Sequence, residues 1–158
     1  MMTMIEYSLE PATQAHVHDL AARMRKADVE EAWALAHLEP LQALKAAITG
    51  SREPAAGLAD GRVFVLFGIA QRSPFSDRGC PWMLATDELD QHSVRFLRES
   101  RRLLAEIRLT YPRLENYIDA RQVEAVQWLW WLGFTVDLPE FRGLDNLPFH
   151  RFHLGMES

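Results

Sequence analysis

The sequence predicts an α/β (α+β) fold, one mixed β-sheet of about six or seven strands flanked by about four helices, and three observations carry that prediction. A strand, a long helix and a second strand follow one another between residues 82 and 118, and such a crossover returns the chain parallel to its first strand. Asp60-Gly61, set between two apolar segments, is a two-residue hairpin signal and demands an antiparallel part. Residues 111–134, YPRLENYIDARQVEAVQWLWWLGF, join a short strand to an apolar helix with a glycine at its exit.

Composition bounds the possibilities. The 158 residues amount to one domain, 1–158, able to bury roughly two thirds of the surface its unfolded form exposes. Apolar residues make up 48% and charged residues 25%, with no run near the ~18 apolar residues of a membrane span. A formal charge of -5 without long basic blocks argues against generic nucleic-acid binding. MMTMIEYSLEP carries no visible secretory or mitochondrial address. Cys80, the single cysteine, has no internal disulfide partner, which suits a reducing compartment.

Taken in order, Ile5 to Leu9 is the first strand, ended by Pro11. Thr13 caps a helix to about Lys26, with Val17, Leu20, Ala21 and Met24 at helical spacing. A second helix starts near Asp28, where Asp28 and Glu31 have the spacing of a capping box, and Pro40 interrupts or restarts it as far as Gly50. Ala55 to Ala59 is a weak strand, whereas Arg62 to Ala70 is apolar on both faces and therefore central. QRSPFSDRGCP is a loop, Trp82 to Thr86 a short strand, and the longest helix then runs to about Thr110. On that helix Leu97, Leu104 and Ile107 share a stripe with the small Ser93 and Ser100, while Arg95, Arg98 and Arg102 line another.

Tyr111-Pro112 stops the long helix, and Leu114 to Ile118 is the next strand. Asp119, with Gln122 three residues on, should cap the last helix. There Val123, Val126 and Trp130, flanked by Ala125, Leu129 and Leu132, predict a largely buried element. Gly133 suits a left-handed exit, and Phe134 a contact folded back on Leu129. A strand from Thr135 to Leu138, a loop from Pro139 to Pro148 and a last strand from Phe149 to Leu154 complete the order.

This order resembles the GNAT (GCN5-related N-acetyltransferase) fold. QVEAVQWLWWLGF is similar to the GNAT pattern N-x-x-A-x-x-F-Y-x-x-x-G-F, with Ala125, Trp128, Gly133 and Phe134 on its Ala, first aromatic, Gly and Phe. RKADVEEAW, EPLQAL, VLFGIA, PWMLATDEL, RFLRESRR, LENYIDARQ and LPFHRFHL resemble segments of small GNAT-like proteins of tailed phages, a family that includes an internal virion protein of short-tailed phages.

The resemblance also implies which parts acetyl transfer would need. In active GNATs the coenzyme A diphosphate rests on free amides of a Gly-rich turn, Q/R-x-x-G-x-G/A, at the start of the long helix. Here WMLATDELDQHSVR, Trp82 to Arg95, has no glycine and places Asp87, Glu88 and Asp90 there. Each such charge ~6 Å from a phosphate repels it by about 2–3 kcal/mol at an effective dielectric near 20. The general-acid Tyr of many GNATs falls on Leu129, and the pattern's Asn on Gln122. Trp82, Leu84, Thr86 and Asn116 are the positions for a pantetheine arm.

Arg25, Asp28 and Glu31 recur every three residues on what the resemblance makes one wall of the acceptor cleft. A carboxylate there can act as base to an amine, or form a helix cap with a local ion pair. Trp33 and Trp82 flank the same cleft or fill the core, and Tyr117 is a proton donor or a packed aromatic. Arg98, Arg101 and Arg102 meet a phosphate or a partner, or form a solvated face balanced by Glu99 and Glu106. His16 and His18, like His150 and His153, point to opposed faces, so no metal site is expected. Cys80 has no histidine nearby in sequence to make it a nucleophile. Phe149, Phe152 and Trp131 pair two copies as a homodimer or close the monomer core.

The leading expectation is a phage-encoded GNAT-fold protein with a degraded acetyl-CoA site and no cofactor. It would bind a phage structural or host protein, in the host cytoplasm during infection or in the virion. The alternative is an acetyl-CoA-dependent N-acetyltransferase with a modified pyrophosphate loop and Glu31 or Asp28 as base.

Overall fold

The computed structural model describes residues 4–156. In chain order its elements are β1 (Tyr7–Pro11), α1 (Gln14–Ala22), α2 (Lys26–Ala36), α3 (Pro40–Thr49), β2 (Ala55–Ala59), β3 (Arg62–Ala70) and β4 (Arg78–Ala85). A 3-10 segment (Asp87–His92) then leads into α4 (Ser93–Thr110), β5 (Arg113–Asp119), α5 (Val123–Leu132), β6 (Thr135–Val136), β7 (Glu140–Arg142) and β8 (Leu147–Leu154). The strands form a single sheet in the order β1-β2-β3-β4-β5-β8-β6, with β7 also on β8. Only β4 and β5 run parallel; the other pairs are antiparallel. The expected mixed sheet is present, with β7 as a strand that Pro139 and Gly143 on either side hide from the sequence.

Local chemistry explains the best-placed elements. Asp60 and Gly61 both have positive φ, 50° and 79°, as a type I′ hairpin turn requires. Thr13 accepts from the His16 amide while the His16 ring accepts from Thr13 N, a capping box for α1. Pro40 takes the first position of α3, where its missing N–H costs nothing. Gly133 leaves α5 at φ 102°, and Phe134 N–H donates to the Leu129 carbonyl at 3.0 Å, the long bond of a Schellman motif.

Two caps turn out differently. Arg25, and not Asp28, precedes α2; Asp28 lies inside the first turn and is buried. Asp119 closes β5 instead of opening α5, whose N-cap is Gln122 without a side-chain bond. The last helix is also less buried than its composition suggests, since Val123, Trp130 and Trp131 are exposed and Leu129 alone is buried. Phe149 and Phe152 are buried within the monomer, so they close its core.

Helices cover both faces of the sheet. Val17 and Leu20 of α1 and Leu44 of α3 pack on Ala56, Leu58 and Leu66. Ile69, three residues from Leu66 and so on the opposite face, joins Leu114, Leu129, Phe134 and Phe152 under α4 and α5. Between these layers β4 and β5 touch only at Arg78↔Arg113 and Gly79↔Leu114. Beyond that register they part, and the Asn116 side chain spans the first of the gap by donating to the Pro81 carbonyl at 2.8 Å.

Candidate functional site

A cleft of about 330 Å³ opens where β4 and β5 diverge. It reaches from α2, at Glu31 and Leu35, through the sheet to the crevice between α4 and α5, at Phe96, Ser100 and Trp128. Thr86 N–H donates to the Phe64 carbonyl, so by the two-residue period of a strand Ala85, Met83 and Pro81 turn their peptide groups away from β3 and into the gap. Ala85 is already satisfied: its N–H donates to Asp28 Oδ2 at 2.9 Å and its carbonyl accepts from Arg25 N at 2.9 Å. Pro81 is held by Asn116. Met83 lies between them with the same orientation, an edge against which an extended amide-bearing chain can pair.

The carboxylates of α2 have different environments. Asp28 accepts both Arg25 Nε (2.8 Å) and a second Arg25 nitrogen (3.0 Å) as well as the Ala85 amide. Burial pushes its carboxyl up, and the Arg25 guanidinium opposes that rise. Arg25 reaches on to Gln122 Oε1 at 3.2 Å, so the pair ties α2 to β4 and to the start of α5. Glu31, three residues later and lining the cleft, has the Asp119 amide as its one hydrogen-bond donor among the described residues, at 2.6 Å. Burial, aided by the charges of Asp28 and Asp119, pushes the Glu31 carboxyl up to about 7. Asp119 itself is held by Arg121 through the backbone N–H and the guanidinium.

Trp82, Leu84 and Asn116 line the cleft. Trp82 spends its N–H on Ser51 Oγ at 2.6 Å, and Asn116 spends its own on Pro81. Thr86 is outside the cleft lining: it is buried, with its hydroxyl oxygen accepting from Glu88 N. Trp33 is exposed and stacked on His37 at 4.7 Å, so it does not flank the opening. Tyr117 lines the opening with the Arg142 guanidinium over its ring at 3.7 Å. Arg101 covers Trp131 at 3.7 Å and Arg102 faces Glu106. No metal-binding group of His, Cys, Asp or Glu occurs among the described residues, and burial pushes the Cys80 thiol up, away from thiolate character.

Residues 86–92 form a tight turn without glycine. Glu88 is engaged by Arg62 at 2.9 Å and Arg23 at 3.5 Å, whereas Asp87 and Asp90 are exposed. This turn does not fit a diphosphate, while the gap between β4 and β5 fits a pantetheine arm. Opposite it, the turn between β7 and β8 closes the far end of α2: Leu144 and Asp145 amides donate to the Leu35 and Ala34 carbonyls, and Asp145 pairs with His37 at 2.6 Å. Sequence reasoning missed this docking and the crevice beside Trp128. The small Ser100 on the Leu104 and Ile107 stripe was the available signal for the crevice.

Comparison with solved structures decides the architecture. The chain matches spermidine N-acetyltransferase from Vibrio cholerae, solved with CoA and spermine, at TM-score 0.71 and 9% identity over 94% of each chain. It matches Ard1 from Thermoplasma volcanium at TM-score 0.72 and 12% identity, over 96% of this chain and 99% of the other. This is the GNAT fold. The ribosomal-protein-S18-alanine N-acetyltransferase from Escherichia coli is a third such GNAT neighbour, at TM-score 0.65, 13% identity and 97% of each chain. No protein-family model matches the sequence, and no curated protein matches it. What the comparisons support is thus the GNAT architecture, with acetyltransferases as its neighbours.

Proposed function

We propose that this protein is an N-acyltransferase that takes an acyl group from a coenzyme A-type thioester and delivers it to an amine, with Glu31 as the base. The observation that carries the proposal is Glu31, a half-buried carboxyl brought near neutrality at the wall of a cleft that passes through the sheet. A base poised near 7 is matched to removing a proton from an ammonium or attacking amine at physiological pH. The amine nitrogen then forms a bond to the thioester carbonyl carbon, the carbon–sulfur bond breaks, and sulfur leaves as thiolate. Leu129 offers it no proton, so water supplies one. Met83, Trp82 and Leu84 would line the thioester arm; Asp28, fully engaged by Arg25 and Ala85, holds α2 in place.

Calorimetry with acetyl-CoA tests the reading. Heat of binding at micromolar concentration, followed by acetylation of an amine panel that Glu31→Gln abolishes, is the expected result. Absence of binding at millimolar acetyl-CoA removes the proposal.

A second reading has its own support in the exposed Asp87 and Asp90 at the start of α4 and in Leu129 at the position of a general-acid tyrosine. On that reading the scaffold binds a phage structural or host protein, in the particle or the infected cytoplasm, as the phage resemblance implies. Detection of the protein in purified particles together with no thioester binding would favour it.

A further inference from the structure

We infer that the acceptor is a primary amine with a single ammonium group and an apolar body, the body lying in a slot between α2, α3 and Trp82 while the nitrogen meets Glu31. The inference rests on the acyltransferase reading and names the class of amine that the site selects.

The slot is the part of the cleft on the α2 and α3 side of the sheet. Trp82 packs with the core under α1 and α3, whereas Ile118 packs on the opposite face with α4 and α5, so by strand alternation Tyr117 shares the side of Trp82. Ala32 and Ala36, one turn apart on α2, and Ala43 and Ala47, one turn apart on α3, line the cleft there together with Leu38 in the link between the helices. Alanine at those four positions leaves the width between the helices open. Trp82, which also borders the donor arm, donates its N–H to Ser51 Oγ at 2.6 Å, and Ser51 Oγ donates in turn to the Ala47 carbonyl at 2.7 Å. The polar atoms beside the slot are thus bonded to the protein, and a ligand body meets carbon.

Charge limits the acceptor to one ammonium group. Among the described residues the charged side chains lining the cleft are Arg25, Asp28 and Glu31. Arg25 and Asp28 balance one another through hydrogen bonds of 2.8 and 3.0 Å. Glu31 gives one oxygen to the Asp119 amide at 2.6 Å, and its other oxygen has no protein donor among the described residues, so the site balances a single positive charge. A second ammonium, as in spermidine, would lie among alanine and leucine side chains, where loss of hydration opposes it. At Tyr117 it would meet the Arg142 guanidinium, already over the ring at 3.7 Å, and like charges repel. In transfer the amine nitrogen gives its proton to Glu31 and its lone pair to the thioester carbonyl carbon, and sulfur leaves as thiolate, so the apolar body contributes binding alone.

The test uses acetyl-CoA as donor and compares three acceptors: 2-phenylethylamine, ethanolamine and spermidine. On the unaltered chain kcat/KM for 2-phenylethylamine should exceed both of the others by about 30-fold or more, the effect of an apolar body taken out of water. Ala43→Glu, which adds a second carboxylate to the slot, should lower the rate with 2-phenylethylamine and raise it with spermidine, shrinking their ratio about tenfold, with circular dichroism checking the fold. Spermidine or ethanolamine acetylated as efficiently as 2-phenylethylamine overturns the inference, and so does a folded Ala43→Glu protein that keeps the parent's ratio; in those cases the acyltransferase reading stands. If the variant does not fold, the three amines on the unaltered chain decide. Acetylation of none of the three overturns the inference, and if acetyl-CoA also fails to bind, the acyltransferase reading falls with it.

Discussion

Glu31 Oε1 and the backbone N–H of Asp119 meet at 2.6 Å, fastening α2 to the end of β5 on the side where the sheet opens. One carboxylate oxygen thereby orients the group, and the other remains for chemistry. Glutamine keeps an oxygen for the Asp119 amide but cannot take a proton. Glu31→Gln should therefore lower turnover roughly 10²-fold or more while preserving the fold. Steady-state rates and circular dichroism on the same samples check both halves, and unchanged turnover excludes Glu31 as base.

The same carboxyl makes a signed prediction for stability against pH. Its folded value, about 7, lies above the ordinary 4.5, so the folded state binds the proton more tightly. Its contribution is fully present below pH 4.5 and is lost as pH rises to 7, amounting to about 2–3 kcal/mol. Denaturant melts from pH 4.5 to 8 should show Glu31→Gln with the flatter profile, and with the higher stability at pH 8.

Asp28 should behave otherwise. Removing its carboxylate leaves the partly buried Arg25 without its ion partner and the Ala85 amide without an acceptor. Asp28→Ala should cost about 3–5 kcal/mol, as when one member of a buried pair is deleted. Urea denaturation measures it; a loss below about 1 kcal/mol would put the pair in the class of exposed bridges.

Gly143 tests the cover on α2. Its φ is +79°, and an added Cβ would lie 2.7 Å from the Ala34 carbonyl oxygen and 2.8 Å from Leu35 Cα. Gly143→Ala should undock the turn at a cost of about 1–3 kcal/mol. Amide exchange should then accelerate at Leu144 and Asp145, whose N–H groups donate to α2.

Charge at the start of α4 can be removed without touching the core. Asp87→Asn with Asp90→Asn should tighten acetyl-CoA by about threefold at low salt, less at physiological salt, because both side chains are exposed and screened. S-acetylpantetheine, which has no diphosphate, should bind the double variant and the parent alike.

Much of this was legible in the chain itself. The β2–β3 hairpin follows residue for residue from Asp60-Gly61 and its flanking apolar segments, and Pro40, Thr13 and Gly133 mark helix ends where they were expected. These features depend on φ preferences and on bonds between residues a few positions apart, which a sequence displays directly. Asp28 and Asp119 have the same composition cues as helix caps, yet one is buried against Arg25 and Ala85 and the other against Arg121. Trp82 enters the cleft and Trp33 does not, although both are tryptophans in apolar contexts. Burial and the choice of partner belong to residues far apart in sequence, 57 positions for Asp28 and Ala85, 88 for Glu31 and Asp119. Desolvation depends on that assembled environment, so only the tertiary structure could raise Glu31 toward neutrality and leave Trp128 Nε1 without a partner among the described residues.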